Sequence, residues 1–285
     1  MIIVERTGVQ ALLQDLGRPG LAHLGVSPSG AADRTALRLA NRLVGNRESA
    51  AAIECLFGGL VVRSASLLWV AVTGAPTEVV VNDASTGSHC SIPLRPGDTL
   101  AIQAPRYGIR NYLAVRGGFK CAKTLGSRST DLLSGLGPPP LGAGDELAVG
   151  RPRRRFPDTD LAPPNQPRKI LRLLPGPRRD WFAREAWTAL LNEPWTVSPD
   201  SNRVAVRLEG PNLPRSRTIE LPSEGLVRGA IQVPTSGQPL IFGADHPVTG
   251  GYPVLAVLTD RDADHAAQLR PGEAVRFGLD STTRS

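Results

Sequence analysis

Residues 240 to 258 read Leu240-Ile241-Phe242-Gly243-Ala244-Asp245-His246-Pro247-Val248-Thr249-Gly250-Gly251-Tyr252-Pro253-Val254-Leu255-Ala256-Val257-Leu258. The apolar runs at either end have the length and side chains of buried strands. Between them lie an acid, a histidine, a hydroxyl, two adjacent glycines and a tyrosine. A polar, glycine-rich connection held between core strands suits close approach of backbone to a ligand, because glycine has no Cβ in the way. An ordinary tight turn is the alternative.

The same alternation of short apolar runs and turns extends outward over most of the chain. Strands are expected at Leu67 to Thr73, Thr77 to Asn82, Thr99 to Gln103, Asn111 to Val115, Lys169 to Leu173, Val204 to Leu208, Ala230 to Val233 and Ala274 to Phe277. With 30 glycines and 26 prolines in 285 residues, this is the pattern of a mainly β protein with few, short helices. Helices are expected at Ala31 to Val44, where Ala36, Leu37, Ala40, Leu43 and Val44 form an apolar stripe, and at Asp180 to Leu191. A third starts from Thr259, with Asp262 three positions on as its capping partner. Leu94-Arg95-Pro96-Gly97-Asp98 recurs as Leu269-Arg270-Pro271-Gly272-Glu273 and, more loosely, at Leu141 to Glu146; each reads as a turn feeding a strand. The Arg/Pro-rich segment Arg151 to Arg168 lacks any strand or helix pattern and reads as a solvated linker. It divides the chain into β-rich domains at residues 1–160 and 161–285.

Charge excludes some classes. The formal net charge is +7, from 33 basic and 26 acidic residues, but residues 1–150 and 169–285 are each nearly balanced. Much of the excess lies in the linker, so a nucleic-acid surface is not indicated. The three cysteines, Cys55, Cys90 and Cys121, form no CxxC pair and give neither a disulfide framework nor a zinc site. No secretory leader or membrane-length apolar stretch is visible, so a cytoplasmic location is expected. There is no GxxxxGK[ST] loop, no HExxH and no GxSxG elbow.

What remains for chemistry is a set of hydroxyl- and glycine-rich loops. Ser29 stands just ahead of the first expected helix and Asp33 in its first turn, where free N–H groups can hold an anion or where either side chain can serve simply as a cap. Ser223, Glu224 and Gln232 belong to a segment, Pro222 to Pro239, whose neutral hydrogen-bonding groups complement an amide, urea or lactam. Arg116 to Phe119 and Leu125 to Asp131 form a further loop.

Several blocks together are similar to one family. They are Val9 to Gly20, Gly25 to Asp33, Ala40 to Asn46, Tyr112 to Gly118, Leu125 to Thr130, Ser223 to Leu226 and Thr249 to Pro253. They resemble the KipA family, also known as the C-type subunit of 5-oxoprolinase, allophanate hydrolase subunit 2 or a biotin-dependent carboxyltransferase domain. The resemblance implies two cyclophilin-like β-barrel domains and a KipI-like partner (the B-type subunit of 5-oxoprolinase, or allophanate hydrolase subunit 1), with an A-type, lactam-utilisation protein as a possible third member. It also implies ATP, with Mg2+, as cofactor for opening 5-oxoproline to glutamate, the nucleotide binding through another loop or another protein of the complex. The alternatives are carboxyl transfer from carboxybiotin to urea and a non-catalytic regulator of a kinase-inhibiting partner. Under the first reading Asp245 is the acid/base or amide-orienting group, the Thr249 to Gly251 N–H groups stabilise developing negative charge, and Ser29, Asp33, Ser223, Glu224, Gln232, Thr249, Gly250, Gly251 and Tyr252 bind substrate. The family usually has Gln and Thr where this chain has Pro247 and Val248.

Overall fold

A computed structural model describes residues 1–152, 155–164, 166, 168, 170–217 and 219–280. The chain folds into two compact units, one of residues 1–19 and 29–166, the other of residues 20–28 and 167–285. Among the described residues no helix is long and apolar enough to cross a membrane.

The first unit is built from two antiparallel sheets. One has the order Phe119–Lys120, Glu146–Val149, Ile2–Thr7, Leu60–Ser64, Thr99–Ile102, Glu78–Val81 and Ala84–Gly87; the other runs Gln10–Gln14, Ala52–Leu56, Arg110–Val115, Leu68–Gly74 and Ser91–Leu94. Ile2, Val4, Leu60, Val62 and Leu100 from one sheet and Leu13, Ile53, Val70, Val72 and Leu113 from the other share one buried cluster. Alternation places these side chains inward, as strands with one face on the core require. Helix α1 (Arg34–Leu43) packs Ala36, Leu37 and Ala40 against Ala71, Tyr112 and Ala114 on the other face of the second sheet. That explains why Arg110–Val115 is buried along its whole length.

The second unit is a closed barrel in the order Ile170–Pro175, Val254–Leu258, Ala230–Gln232, Leu240–Phe242, Ala205–Glu209, Trp195–Val197 and Ala274–Leu279. Its pairs are antiparallel except where Ile170–Pro175 runs parallel to Ala274–Leu279 and shuts the barrel. Closure leaves no open edge within the barrel. Helices α2 (Arg184–Asn192) and α3 (Asp260–Ala266) contribute Ala186, Trp187, Leu190, Ala263 and Ala266 to its core.

Mainly β architecture with three α-helices agrees with the sequence reading, though the helices are shorter than their apolar patterns. α1 begins at Arg34 rather than Ala31 because Asp33 is its N-cap, accepting from the Ala36 N–H at 2.9 Å. The segment before α2 is a single 3-10 turn, Arg179–Trp181. Thr259 caps α3 and shares a hydrogen bond of 2.7 Å with Asp262, as its spacing requires.

The three copies of the turn are alike in detail. Gly97, Gly272 and Gly144 have φ of 90°, 79° and 92°. Each following acid, Asp98, Glu273 or Asp145, accepts from the backbone N–H three residues earlier at 2.7, 3.0 and 2.8 Å. The segment read as a solvated linker is instead fastened along part of its length. Asp160 O accepts from Ser91 N, Ala162 N donates to His89 O, and Phe156 stacks edge-on against Trp69. Arg153, Arg154, Asn165 and Pro167 of that segment, and Lys169 at the start of the next expected strand, lie outside the described residues.

Candidate functional site

In the second unit, Thr249–Gly250 pairs antiparallel with Glu224–Gly225 as a two-stranded ribbon outside the barrel. Leu226 N extends the pairing to Val248 O at 2.9 Å. Glu224, Thr249, Gly250, Gly251 and Tyr252 are therefore brought together, with Ser223 exposed beside them. Gln232 joins them from the barrel wall. The register of its strand against Val254–Leu258 shifts between Ile231 and Gln232, and such a bulge re-aims the side chain that carries it. Gln232 is buried and donates from Nε2 to Tyr252 O at 2.8 Å.

Neither Gly250 nor Gly251 has positive φ, so neither position needs glycine for a left-handed backbone. Close approach accounts for Gly250 alone: a Cβ there would stand 2.8 Å from both Gln232 Nε2 and Leu226 Cδ1. At Gly251 the nearest atom is Leu221 O at 3.7 Å, an ordinary contact.

Two arginines that sequence reasoning missed frame the ribbon. Arg178 grips both carboxylate oxygens of Glu224, and that hydrogen bonding holds the Glu224 carboxyl below its ordinary range. Arg215 lies with its guanidinium carbon 5.3 Å from the Tyr252 ring centre while Nη2 donates to Val233 O at 2.7 Å. Both sit in irregular segments, where no periodicity marks a position as facing a site.

Asp245 is placed differently from the ribbon residues. It is completely buried, and its carboxylate accepts from Arg203 Nε at 2.8 Å and Nη2 at 3.0 Å, while its own N–H donates to Arg203 O. A carboxylate engaged on both oxygens anchors a loop rather than shuttling a proton. In this structure Asp245 ties its loop to Arg203.

Ser29 and Asp33 belong to the first unit, and their side chains are engaged there. Ser29 Oγ donates to Thr130 O at 3.2 Å, and Asp33 caps α1. Their loop is held by a buried network. Glu54 Oε2 accepts from Ala32 N at 3.0 Å and from the Tyr112 hydroxyl at 2.7 Å, while Tyr112 in turn accepts from Asp33 N at 2.7 Å. Burial first, then the neighbouring Glu54 and Asp33 charges, raises the Tyr112 hydroxyl well above its ordinary pKa.

A second network lies on the segment from Ser127 to Thr130. Asp15 accepts from Ser127 Oγ at 2.6 Å, Ser129 Oγ at 2.7 Å, Gly17 N at 2.8 Å and Arg128 N at 2.7 Å. Arg18, only 2% exposed, donates from Nη2 to Ser129 O.

Among the described residues no group of three His, Cys, Asp or Glu could hold a metal ion. A pocket of about 160 Å³ opens in the second unit between Ser198, Arg207, Ser236 and Gln238. That is below the usual size for a small-molecule site.

Comparison with known proteins places the chain. The sequence model of the carboxyltransferase domain, subdomain A and B, matches residues 24–279. The C-type subunit of 5-oxoprolinase from Escherichia coli strain K12 is 38% identical over 280 residues, which cover 97% of this chain and 90% of that protein. A urea amidolyase of Lachancea kluyveri is 31% identical over 96% of this chain but only 16% of its own length. Among solved structures, TTHA0988 superposes with a TM-score of 0.89 at 37% identity, covering 97% of this chain and 55% of that one. The K. lactis urea amidolyase gives 0.89 at 29% identity, covering 97% of this chain and 18% of that one. The chain thus spans nearly all of the E. coli relative, about half of TTHA0988 and less than a fifth of the amidolyases.

Proposed function

From the premise that this chain belongs to the carboxyltransferase domain, subdomain A and B, family, we propose that it is the C-type subunit of an ATP-dependent 5-oxoprolinase. The observation that carries this reading is identity: the chain is 38% identical to the E. coli 5-oxoprolinase relative over 97% of its residues, against 31% over 96% for the L. kluyveri urea amidolyase. A KipI-like protein and a lactam-utilisation protein would complete the enzyme.

The reaction breaks the lactam C–N bond and leaves a carboxylate and an amine. An unactivated lactam resists water at neutral pH, so its carbonyl must be activated; ATP supplies that activation when bound. The described residues offer no cluster of three His, Cys, Asp or Glu for the accompanying Mg2+, and nucleotide and metal are assigned to another loop or to a partner protein.

This chain's part is to hold and orient the amide. Gln232, fixed by Tyr252 O, presents a neutral amide beside Gly250, which suits the paired donor and acceptor of a lactam. The exposed Thr249 hydroxyl and Tyr252 ring flank it. The Arg178–Glu224 and Arg203–Asp245 pairs hold the two ends of the loop, so Asp245 acts as a positioning residue. Preorganisation of this kind lowers the cost of ordering substrate.

The test is reconstitution. Co-expressed with KipI-like and lactam-utilisation proteins, the chain should form a stable heteromer that releases glutamate from 5-oxoproline only with ATP. Turnover with urea and a carboxylated biotin carrier, and none with 5-oxoproline, would replace this reading with the carboxyltransferase one, which the fold shared with urea amidolyase keeps open.

A further inference from the structure

Among the described residues, the charge on Arg18 has no counterpart. No carboxylate pairs with its guanidinium, and Nε and Nη1 are buried without a hydrogen-bond partner. The nearby acid, Asp15, is already saturated by two serine hydroxyls and two backbone N–H groups. Burying a cation without a partner costs several kcal/mol, so such groups are retained where something else completes them. Geometry narrows what that is. Nη2 carries two hydrogens, one on each two-donor edge of the guanidinium, and Ser129 O takes one of them. Whichever it takes, the other edge keeps both of its donors. A planar two-donor edge matches a carboxylate better than any single acceptor.

Two more side chains fixed to the same segment have unmet capacity. Thr130 Oγ1 and Gln14 Oε1 are buried and unpartnered, although Gln14 Nε2 donates to Thr130 O at 2.8 Å. A hydroxyl donor and an amide acceptor on the segment that the guanidinium also binds suit a small molecule that carries a carboxylate together with an N–H. The turn 131–137 closes the position: a Cβ on Gly137 would stand 3.2 Å from Arg18 Nη2. That turn is largely tied to itself, through Asp131 N to Leu136 O at 2.9 Å and Ser134 Oγ to Asp131 Oδ2 at 2.6 Å.

We propose that Arg18 is the anchor of a carboxylate-binding site in the first unit, reached when the turn 131–137 moves aside. The assignment of the carboxylate to a lactam acid such as 5-oxoproline rests on the function proposed above, and gives that acid a place in the first unit in addition to the ribbon of the second. The carboxylate itself does not, since a carboxylated carrier would present the same group.

Titration calorimetry on the full chain with 5-oxo-L-proline, pyrrolidin-2-one and acetate tests this. Arg18→Met should weaken 5-oxoproline and acetate about 10- to 100-fold, as for the loss of charge-assisted hydrogen bonds, and leave pyrrolidin-2-one unchanged. Arg18→Lys, which keeps charge but loses the fork, should fall between, and it carries the test if the methionine variant does not fold. Acetate binding that needs Arg18, without preference for the lactam acid, keeps the site and removes 5-oxoproline as its ligand. Lactam binding indifferent to Arg18 overturns the site and leaves the proposed function standing. No carboxylate binding by the parent chain, or equal binding by Arg18→Met, also overturns it, the guanidinium then being a purely structural group.

Discussion

Arg203 in the second unit and Arg18 in the first are buried to nearly the same degree, 3% and 2% exposed, yet they stand in opposite electrostatic situations. Arg203 meets Asp245 along a full two-donor edge. Arg18 meets a single carbonyl. A saturated pair makes no further demand and fixes the loop that carries it. A cation left short of partners makes a demand that only a ligand can meet. Burial alone therefore does not separate structural from functional charge; the count of satisfied donors does.

The contrast is sharpest in stability. Arg203→Met should strand the Asp245 carboxylate in the barrel and cost about 3–5 kcal/mol in urea unfolding, and adding Asp245→Leu should recover much of it. Arg18→Met removes a buried charge that has no ion-pair partner, at the loss of one hydrogen bond to Ser129 O, and should keep stability at or above the parent value. A large loss at Arg18 and a small one at Arg203 would reverse the assignment of the two residues.

The glycine pair gives a smaller effect with the same logic. Gly250→Ala should cost about 1–3 kcal/mol by overpacking against Gln232 and Leu226 and should lower turnover in the assembled enzyme. Gly251→Ala should stay within about 0.5 kcal/mol of the parent. Comparable thermal melting of both variants would detach Gln232 from the site.

The helix caps compare the units by a still smaller effect. Asp33→Ala and Thr259→Ala each remove the acceptor for a helix N–H and should cost about 1 kcal/mol. The two losses should be similar, because Asp33 meets the buried Glu54–Tyr112 network through its backbone N–H, which alanine keeps.

The last comparison vanishes at neutral pH. Burial, then the Glu54 charge, raises the Cys55 thiol from 9.0 to about 12, and Tyr112 is raised as well. Both groups are neutral when folded and ionise more readily when unfolded. Their contribution is thus fully present below the unfolded pKa and is lost as pH rises from about 9 towards 12. The first unit should melt earlier in alkali, and Cys55→Ala should flatten that slope. An alkaline slope unchanged in Cys55→Ala would remove the thiol from this account.

Sequence reasoning read several apolar runs as strands, Val254–Leu258 to the residue, but passed over the apolar strands Ala52–Leu56 and Leu60–Ser64. It missed Ala84–Gly87, whose four residues include no large apolar side chain, and the two-residue pieces of the ribbon, because neither has a period to detect. The ribbon residues could be named as candidates from their composition, since glycine, hydroxyl and amide groups stand out between core strands. Their arrangement could not, because it depends on a bulge at Gln232 and on Arg178 and Arg215 arriving from distant segments. Asp245 shows the opposite failure. An acid in a polar loop looks reactive until its partner, forty-two positions earlier in the chain, is seen.

The parallel pairing of Ile170–Pro175 with Ala274–Leu279 has a consequence for the order of events during synthesis. The barrel's opening strand meets Val254–Leu258 first and can complete its pairing only after translation has run through Leu279. Until then one edge waits, unpaired, while the intervening strands emerge. Contacts this far apart in sequence slow folding and lengthen exposure to wrong partners. The first unit meets the same delay at one edge: Ile2–Thr7 pairs early with Leu60–Ser64 but must wait for Glu146–Val149. A ribosome-paused chain ending near residue 270 should therefore present a protease-resistant first unit and an open, cleavable second one.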